Sequence, residues 1–328
     1  MLPASPPPAG DGRPRPRVIY LGGLGRSGTT LLERLLGEMP GVCSAGEVVH
    51  LWQRGIVENE RCGCGEPFAD CPFWARVGQE AFGGWDSINA SRVARLSAAV
   101  DRTRHIPRLA APAPGLARRS ALQEYTSYYQ RVYAGITAAS GCRALVDSSK
   151  HASLAFCLRW RDDLDLRVVH VVRDSRAVAH SWTREVSRPE AAAESFMTRY
   201  SPAVAAGQWN AQNGAVALLA RCGTPTLRVR YEDLVSAPAE ILGQIAAFAG
   251  LVVSPGGPPV IGGDASGCWA ELGAAHTVSG NPMRFSTGRI PIRQDDRWRT
   301  AMPARQRRTV TALTLPLLAR YGYVGRAA

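Results

Sequence analysis

The sequence is almost without lysine. Of its 39 basic residues 38 are arginines, and Lys150 is the single exception. Where arginine has taken nearly every cationic position, the one lysine marks a place that calls for a compact ammonium instead of a planar fork. Long apolar runs are missing too. No stretch reaches the roughly 18 uninterrupted apolar residues that span a bilayer. The opening MLPASPPPAGDGRPRPR holds no apolar segment of the roughly 7–15 residues found in a secretory signal. On this reading the chain is cytoplasmic and has no membrane span, and its eight cysteines are thiols, not a disulfide framework. No block of five or six consecutive basic residues occurs, so the net charge of +12 favours an anionic ligand without marking a nucleic-acid arm. No internal repeat is visible.

What is present is an α/β rhythm. Val18 to Gly22 reads as a buried strand, followed by a Gly-rich turn and an amphipathic helix from about Thr29 to Met39, with Leu31, Leu32, Leu35 and Leu36 on its inward side, that Pro40-Gly41 stops. Strands are expected at Ala144–Asp147, Arg167–Val172 and Thr226–Arg230, the second followed by a helix beginning near Ser175 and the third by AEILGQIAAFAGL. This alternation predicts a P-loop-like parallel sheet flanked by helices, with ligands gathering beyond the carboxyl ends of the strands. Residues of about 50–140, rich in Arg-bearing helical stretches, read as a mainly helical insertion or lid within one domain spanning 17–328, and residues 1–16 as a disordered Pro-rich tail.

Three stretches carry candidate chemistry. In GGLGRSGTT the pattern matches a phosphate-binding loop, except that Thr29 stands where nucleoside-triphosphate enzymes carry lysine. Backbone N–H groups at a helix N-terminus still form an anion site, with Arg26, Ser27, Gly28, Thr29 and Thr30 as its members. In HVVRDSRAVAHSW, Arg173 ends a strand where a guanidinium can grip a phosphate, and Ser181 lies about two helical turns further on. In RYEDL, Tyr231 again follows a strand and can cover an aromatic ring of a ligand.

Together, strand–RSGTT–helix, strand–R–x7–S–helix and strand–YEDL resemble the sulfotransferase family that uses 3′-phosphoadenylyl sulfate, over about residues 17–290. The likeness is greatest to bacterial sulfotransferases and the tyrosylprotein sulfotransferase group. The resemblance implies that the first loop holds the 5′-phosphosulfate, that Arg173 and Ser181 hold the 3′-phosphate, and that Tyr231 lies near the adenine. A donor without a triphosphate needs neither the lysine clamp nor magnesium. By the same resemblance Glu47 is the general base, Lys150 and Arg26 neutralise charge on the transferred group, and Asn281, Arg284 and Phe285 belong to a segment closing over the nucleotide, with Arg284 a second candidate for the 3′-phosphate.

His151 is the alternative base. It directly follows Lys150, so on an extended backbone it would point to the opposite side, which favours Glu47. Leu31 stands where cytosolic relatives place a tryptophan against the adenine. RCGCGEPFADCPFW supplies Cys62, Cys64 and Cys71, one thiol short of the usual structural zinc set. With His50 as the nearest imidazole, a thiol-rich turn packed under Phe68, Phe73 and Trp74 ranks ahead of zinc, and no metal is expected.

The expected function is therefore metal-free, in-line sulfuryl transfer to a hydroxyl or amine of a small-molecule, carbohydrate or peptide acceptor, with no nucleic-acid partner. The alternatives are a P-loop kinase or nucleotide hydrolase with a degenerate loop, with Asp147 as its magnesium carboxylate, and a non-enzymatic basic nucleic-acid-binding protein.

Overall fold

Alternation along the first apolar run decides the layering. In β1 (Arg17–Gly22), Val18 and Tyr20 enter one hydrophobic cluster while Ile19 and Leu21 enter another, so both faces of the strand are covered. The computed structural model describes residues 15–111, 116–190, 196–252, 260–264 and 267–324. Most of the expected Pro-rich tail thus lies outside the described residues, although the Pro16 carbonyl accepts the Asp165 N–H at 3.0 Å.

The turn after β1 leads into α1 (Thr29–Gly37), then β2 (Val42–Gly46). A 3-10 turn at Val48–His50 and a π-helical segment at Leu51–Val57 open a helical stretch. It continues through α2 (Pro72–Phe82), α3 (Ala90–Val100), α4 (Ile106–Ala110) and α5 (Leu116–Ser140). The chain returns to the sheet as β3 (Ala144–Lys150), and α6 (Ala152–Leu158), β4 (Asp165–Val172), α7 (Ser175–Thr183), α8 (Pro202–Arg221), β5 (Thr226–Arg230), α9 (Tyr231–Ser236) and α10 (Pro238–Ala249) follow. A three-stranded antiparallel sheet of β6 (Ile261–Asp264), β7 (Gly267–Leu272) and β8 (Gly288–Pro291) precedes α11 (Trp298–Ala301) and α12 (Ala304–Arg320).

The main sheet is parallel throughout, in the order β2-β3-β1-β4-β5. The chain crosses to one side of β1 through α1 and to the other through α6, so the glycine turn lies at the crevice where the winding reverses. Buried aromatic hydroxyls tie the helical stretch to the sheet. Tyr133 Oη donates to Asp147 Oδ2 at 2.6 Å, while Tyr125 Oη donates to Asp101 Oδ2 at 2.7 Å and meets Tyr129 Oη at 3.0 Å. Trp52 Nε1 donates to Tyr129 Oη at 3.2 Å. Each such polar group would be costly if buried without a partner, so the network specifies one docking of α5 on β3. No described helix is long and apolar enough to cross a membrane.

Helix α1 differs from its sequence reading in one respect. An amphipathic helix with Leu31, Leu32, Leu35 and Leu36 inward was expected, yet Leu31 is only half-buried, whereas Glu33 and Arg34 are 2% and 1% exposed. Glu33 accepts the Gly46 N–H at 2.6 Å and the Ser148 hydroxyl at 2.7 Å. Arg34 donates to the carbonyls of Arg284 at 2.6 Å and Gly273 at 2.5 Å. The helix is sandwiched between the sheet ends and the 273–286 strap, and buried charges are tolerated there because they are hydrogen-bonded.

Candidate active site

Five consecutive strand ends form one edge. Crossing the sheet from β2 to β5, the residues at or just after the carboxyl ends are Glu47, Lys150, the 23–28 turn, Arg173 and Tyr231. Register makes them neighbours: Gly22 pairs with Lys150, and Val172 with Arg230.

The turn is shaped by positive φ. Gly23 has φ +134°, and a Cβ there would come within 2.4 Å of the Val171 carbonyl oxygen. Gly28, the N-cap of α1, has φ +87°, and a Cβ there would meet Tyr231 Cδ2 at 2.4 Å. Arg26 adopts φ +73° despite carrying a side chain. Such strain in a non-glycine residue at a turn accompanies functional geometry often enough to mark the position. Ser27 and Thr29 are buried, and Thr30 is nearly so. The Arg26 guanidinium lies 5.2 Å from the Trp182 ring and donates from Nη2 to Met197 Sδ at 3.4 Å, while its buried Nε has no partner among the described residues. Burial, then the charge of Arg184, lowers its pKa.

Arg173 is joined directly to this turn. Its Nη1 donates to the Arg26 carbonyl at 3.1 Å and its Nη2 to the Asp295 carbonyl at 2.9 Å. The Tyr231 ring stacks on its guanidinium at 4.3 Å. Like Arg26, it keeps a buried Nε without a partner among the described residues. Tyr231 is 7% exposed and closes over both Gly28 and Arg173, so here it braces the cation. Ser181 is half-buried on α7, next to Trp182, whose Nε1 donates to the Gly25 carbonyl at 3.1 Å.

At the other end of the edge Lys150 Nζ donates to Glu47 Oε1, and His50 Nε2 lies 3.4 Å from Glu47 Oε2. Burial pushes the Glu47 carboxyl up in pKa, but Lys150 and His50 together outweigh it and hold the group well below the usual carboxylate range. The Glu47 N–H donates to the Val278 carbonyl at 2.7 Å, which fixes its backbone against the strap.

The geometric reason for setting His151 aside does not hold. Lys150 has φ +68°, so the chain is not extended there, and strand alternation fails to send His151 to the opposite side. Its ring meets that of His50 edge-on at 6.0 Å, so both imidazoles belong to the Glu47–Lys150 cluster. His50 was missed as a member of this cluster. Its sequence signal was the three-residue offset from Glu47, which puts two side chains on one face of a helical turn.

Other expectations are redirected. Arg284 is 1% exposed, and its Nη1 and Nη2 donate to the carbonyls of Thr277 and Arg61, each at 2.6 Å. Its terminal nitrogens are thus committed to main chain and pin the strap, a correction to its expected place on a phosphate. Asn281 accepts the Met283 N–H at 3.1 Å as a local cap, and Phe285 packs under the Arg284 guanidinium at 4.3 Å. Asp147 is fully buried. It accepts from Tyr133 and from the Ser149 N–H and hydroxyl, so both carboxylate oxygens are engaged and the kinase alternative loses its magnesium ligand.

The sequence profile of the sulfotransferase domain family matches residues 16–259. No curated protein matches the chain. Among solved structures the chain is similar to the sulfotransferase domain of a Synechococcus olefin synthase, at 20% identity and TM-score 0.48, with 94% of this chain and 96% of that one covered. It is also similar to the sulfotransferase domain from the curacin biosynthetic pathway, at 18% identity and TM-score 0.46, with 92% and 98% covered. For a sulfotransferase from Mycobacterium avium the values are 15% identity and TM-score 0.38, with 74% and 66% covered.

Proposed function

This chain belongs to the sulfotransferase domain family, and on that premise we propose that it moves a sulfuryl group from 3′-phosphoadenylyl sulfate to a hydroxyl or amine of a small-molecule, carbohydrate or peptide acceptor. The observation that carries the reading is the order of side chains along the sheet edge: carboxylate, ammonium, glycine turn, guanidinium. A donor charged at both ends of its ribose fits that order. Its phosphosulfate would lie at the turn and the α1 N-terminus, and its 3′-phosphate toward Arg173 and Ser181. The buried Nε atoms of Arg26 and Arg173 lack a partner among the described residues, as do those of Arg34, Arg230 and Arg284; what sets the first two apart is their place at the glycine turn, where an anionic occupant would meet them.

In this reading Glu47 takes the proton from the acceptor hydroxyl while the acceptor oxygen forms its bond to sulfur. The bond from sulfur to the bridging phosphate oxygen breaks, and that oxygen keeps the electron pair as adenosine 3′,5′-bisphosphate leaves. Lys150 and Arg26 meet the charge that grows on the sulfuryl and bridging oxygens, the part magnesium plays in triphosphate chemistry. At rest Lys150 is paired with Glu47, which makes the carboxylate a weak base. An anionic sulfuryl group shares the ammonium and thereby returns basicity to Glu47. Holding both reactants in line contributes further, up to roughly 7–11 kcal/mol in well-oriented systems.

Thermal shift separates this function from its rivals. Adenosine 3′,5′-bisphosphate should stabilise the chain, by about 2.7 kcal/mol at a hundred times its Kd, whereas ATP with magnesium and duplex DNA should not. Stabilisation by ATP with magnesium alone would turn the assignment to a kinase. Label transferred from the sulfur-labelled donor to a panel of acceptors identifies the acceptor class.

A further inference from the structure

A second constellation lies outside the sheet edge, among side chains to which the proposed transfer assigns no chemical step. Cys62, Cys64 and Cys71 converge with His276, which is 205 residues beyond Cys71 in the chain. All four ligand atoms lie within 4.8 Å of one another. The measured edges are 3.6 Å for Cys71 Sγ to Cys62 Sγ and 3.8 Å for Cys64 Sγ to Cys71 Sγ. His276 Nδ1 lies 3.3 Å from Cys71 Sγ and 3.9 Å from Cys62 Sγ. A tetrahedral zinc ion with Zn–S of about 2.3 Å and Zn–N of about 2.0–2.1 Å has S···S edges of about 3.8 Å and S···N edges of about 3.6 Å. These four edges lie within about 0.3 Å of those values, and the other two are bounded by 4.8 Å. The sequence reading stopped at three thiols with His50 as the nearest imidazole; His50 instead touches Glu47, and the fourth group is His276.

From this geometry we infer that Cys62, Cys64, Cys71 and His276 bind a structural zinc ion. Four protein ligands close the coordination shell and leave no position for water or substrate, which separates this site from a catalytic metal. The surroundings are built for it. Cys62 and Cys64 sit on a tight knuckle in which the Gly65 N–H donates to the Cys62 carbonyl at 2.9 Å. Gly63 lets the strap come close: its N–H donates to the Thr277 carbonyl at 2.9 Å, and a Cβ there would lie 2.4 Å from Thr277 Oγ1 and 2.5 Å from the Ala275 carbonyl oxygen. The Phe73 ring stacks on His276 at 4.9 Å and 17°, which fixes the imidazole plane.

The ion would clamp the start of the helical stretch to the 276–278 strap. Val278 in turn pairs with Gly46 and accepts the Glu47 N–H. Two residues after its metal ligand, the strap therefore holds the backbone of the proposed base.

The test uses the full chain, with any affinity tag removed, and elemental analysis after gel filtration. About one zinc per chain is expected in the wild type, falling to below about a tenth in Cys62→Ser, Cys71→Ser and His276→Ala. His276→Cys should retain the metal, since a set of four thiolates also makes a closed tetrahedral zinc site, and this rescue distinguishes a ligand from a merely structural side chain. In case the losing variants do not fold, wild-type chain reconstituted with cobalt(II) should show tetrahedral ligand-field bands and thiolate charge transfer. A metal-free wild type, a disulfide between two of these cysteines in peptide mass spectra, or full zinc retention in His276→Ala would each overturn the site.

Discussion

The two ends of the sheet edge handle charge in opposite ways. At the β2–β3 end a carboxylate and an ammonium neutralise each other, with two imidazoles beside them. At the β4–β5 end the Arg173 guanidinium is held chiefly by neutral groups, the carbonyls of Arg26 and Asp295 and the face of Tyr231. The Asp295 carboxylate, drawn down to about 2 chiefly by its hydrogen bond from Arg297, approaches it only to 3.6 Å. A cation held mainly by dipoles, beside a carboxylate already bonded to Arg297, keeps part of its field for an incoming anion, whereas one in a close, exclusive pair must first be released. The first end is therefore suited to respond to the donor and the second to anchor it.

That contrast predicts a split between turnover and binding. The largest effect is expected from Glu47→Gln, which keeps an acceptor for Lys150 but loses the proton affinity. Turnover should fall by about 10²–10⁴-fold, with bisphosphate affinity retained. If turnover persists while His151→Ala abolishes it, the base is the neighbouring imidazole. Next, Lys150→Met should lower kcat by about 10²–10³-fold, and Lys150→Arg should fail to restore it, because the planar fork does not reproduce a rotatable point charge. Single-turnover rates read this directly, and full activity in Lys150→Arg would remove any meaning from the lone lysine.

At the anchoring end Arg173→Ala should weaken adenosine 3′,5′-bisphosphate binding by about 1.5–3 kcal/mol in calorimetry and leave kcat at saturation little changed. A kcat loss with unaltered affinity would invert the division of labour. The smallest effect on activity concerns Glu33, which bridges α1 to Gly46 beside the base and is read through stability. Burial pushes it up to about 7 from an ordinary 4.5. A carboxyl whose folded pKa is raised binds its proton more tightly in the native state, so its contribution to stability is complete below about 4.5 and is lost as pH rises through about 7. Glu33→Gln should remove about 3 kcal/mol of that pH-dependent difference in denaturant titrations on either side of the window. An unchanged slope would assign the titration elsewhere.

Much of the edge was legible because its signals are local. An apolar run followed by glycines and hydroxyls reads as strand, turn and helix wherever the rest of the chain goes; Arg173 stands out as the first polar residue past such a run, and Tyr231 as the first aromatic past the TLRVR strand. The parts that escaped are those whose partners are distant. Glu33 and Arg34 looked like the outer face of an amphipathic helix until β2 and β3 met the first and the strap the second. Arg284 read as a second candidate for the 3′-phosphate until both its terminal nitrogens met main-chain carbonyls. The expected opposite-side placement of His151 rested on a rule of extended chain that Lys150, at φ +68°, does not obey.

The sequence by itself determined which residues stand at strand ends, since hydrophobic period and the steric freedom of glycine act over a few neighbours. Only the tertiary structure decided that β3 lies between β2 and β1, which sets Lys150 between Glu47 and the turn, and that His276 returns to three cysteines more than 200 residues earlier. Strand order and side-chain convergence follow from packing free energy shared across the whole chain, and no short window of residues carries a trace of it.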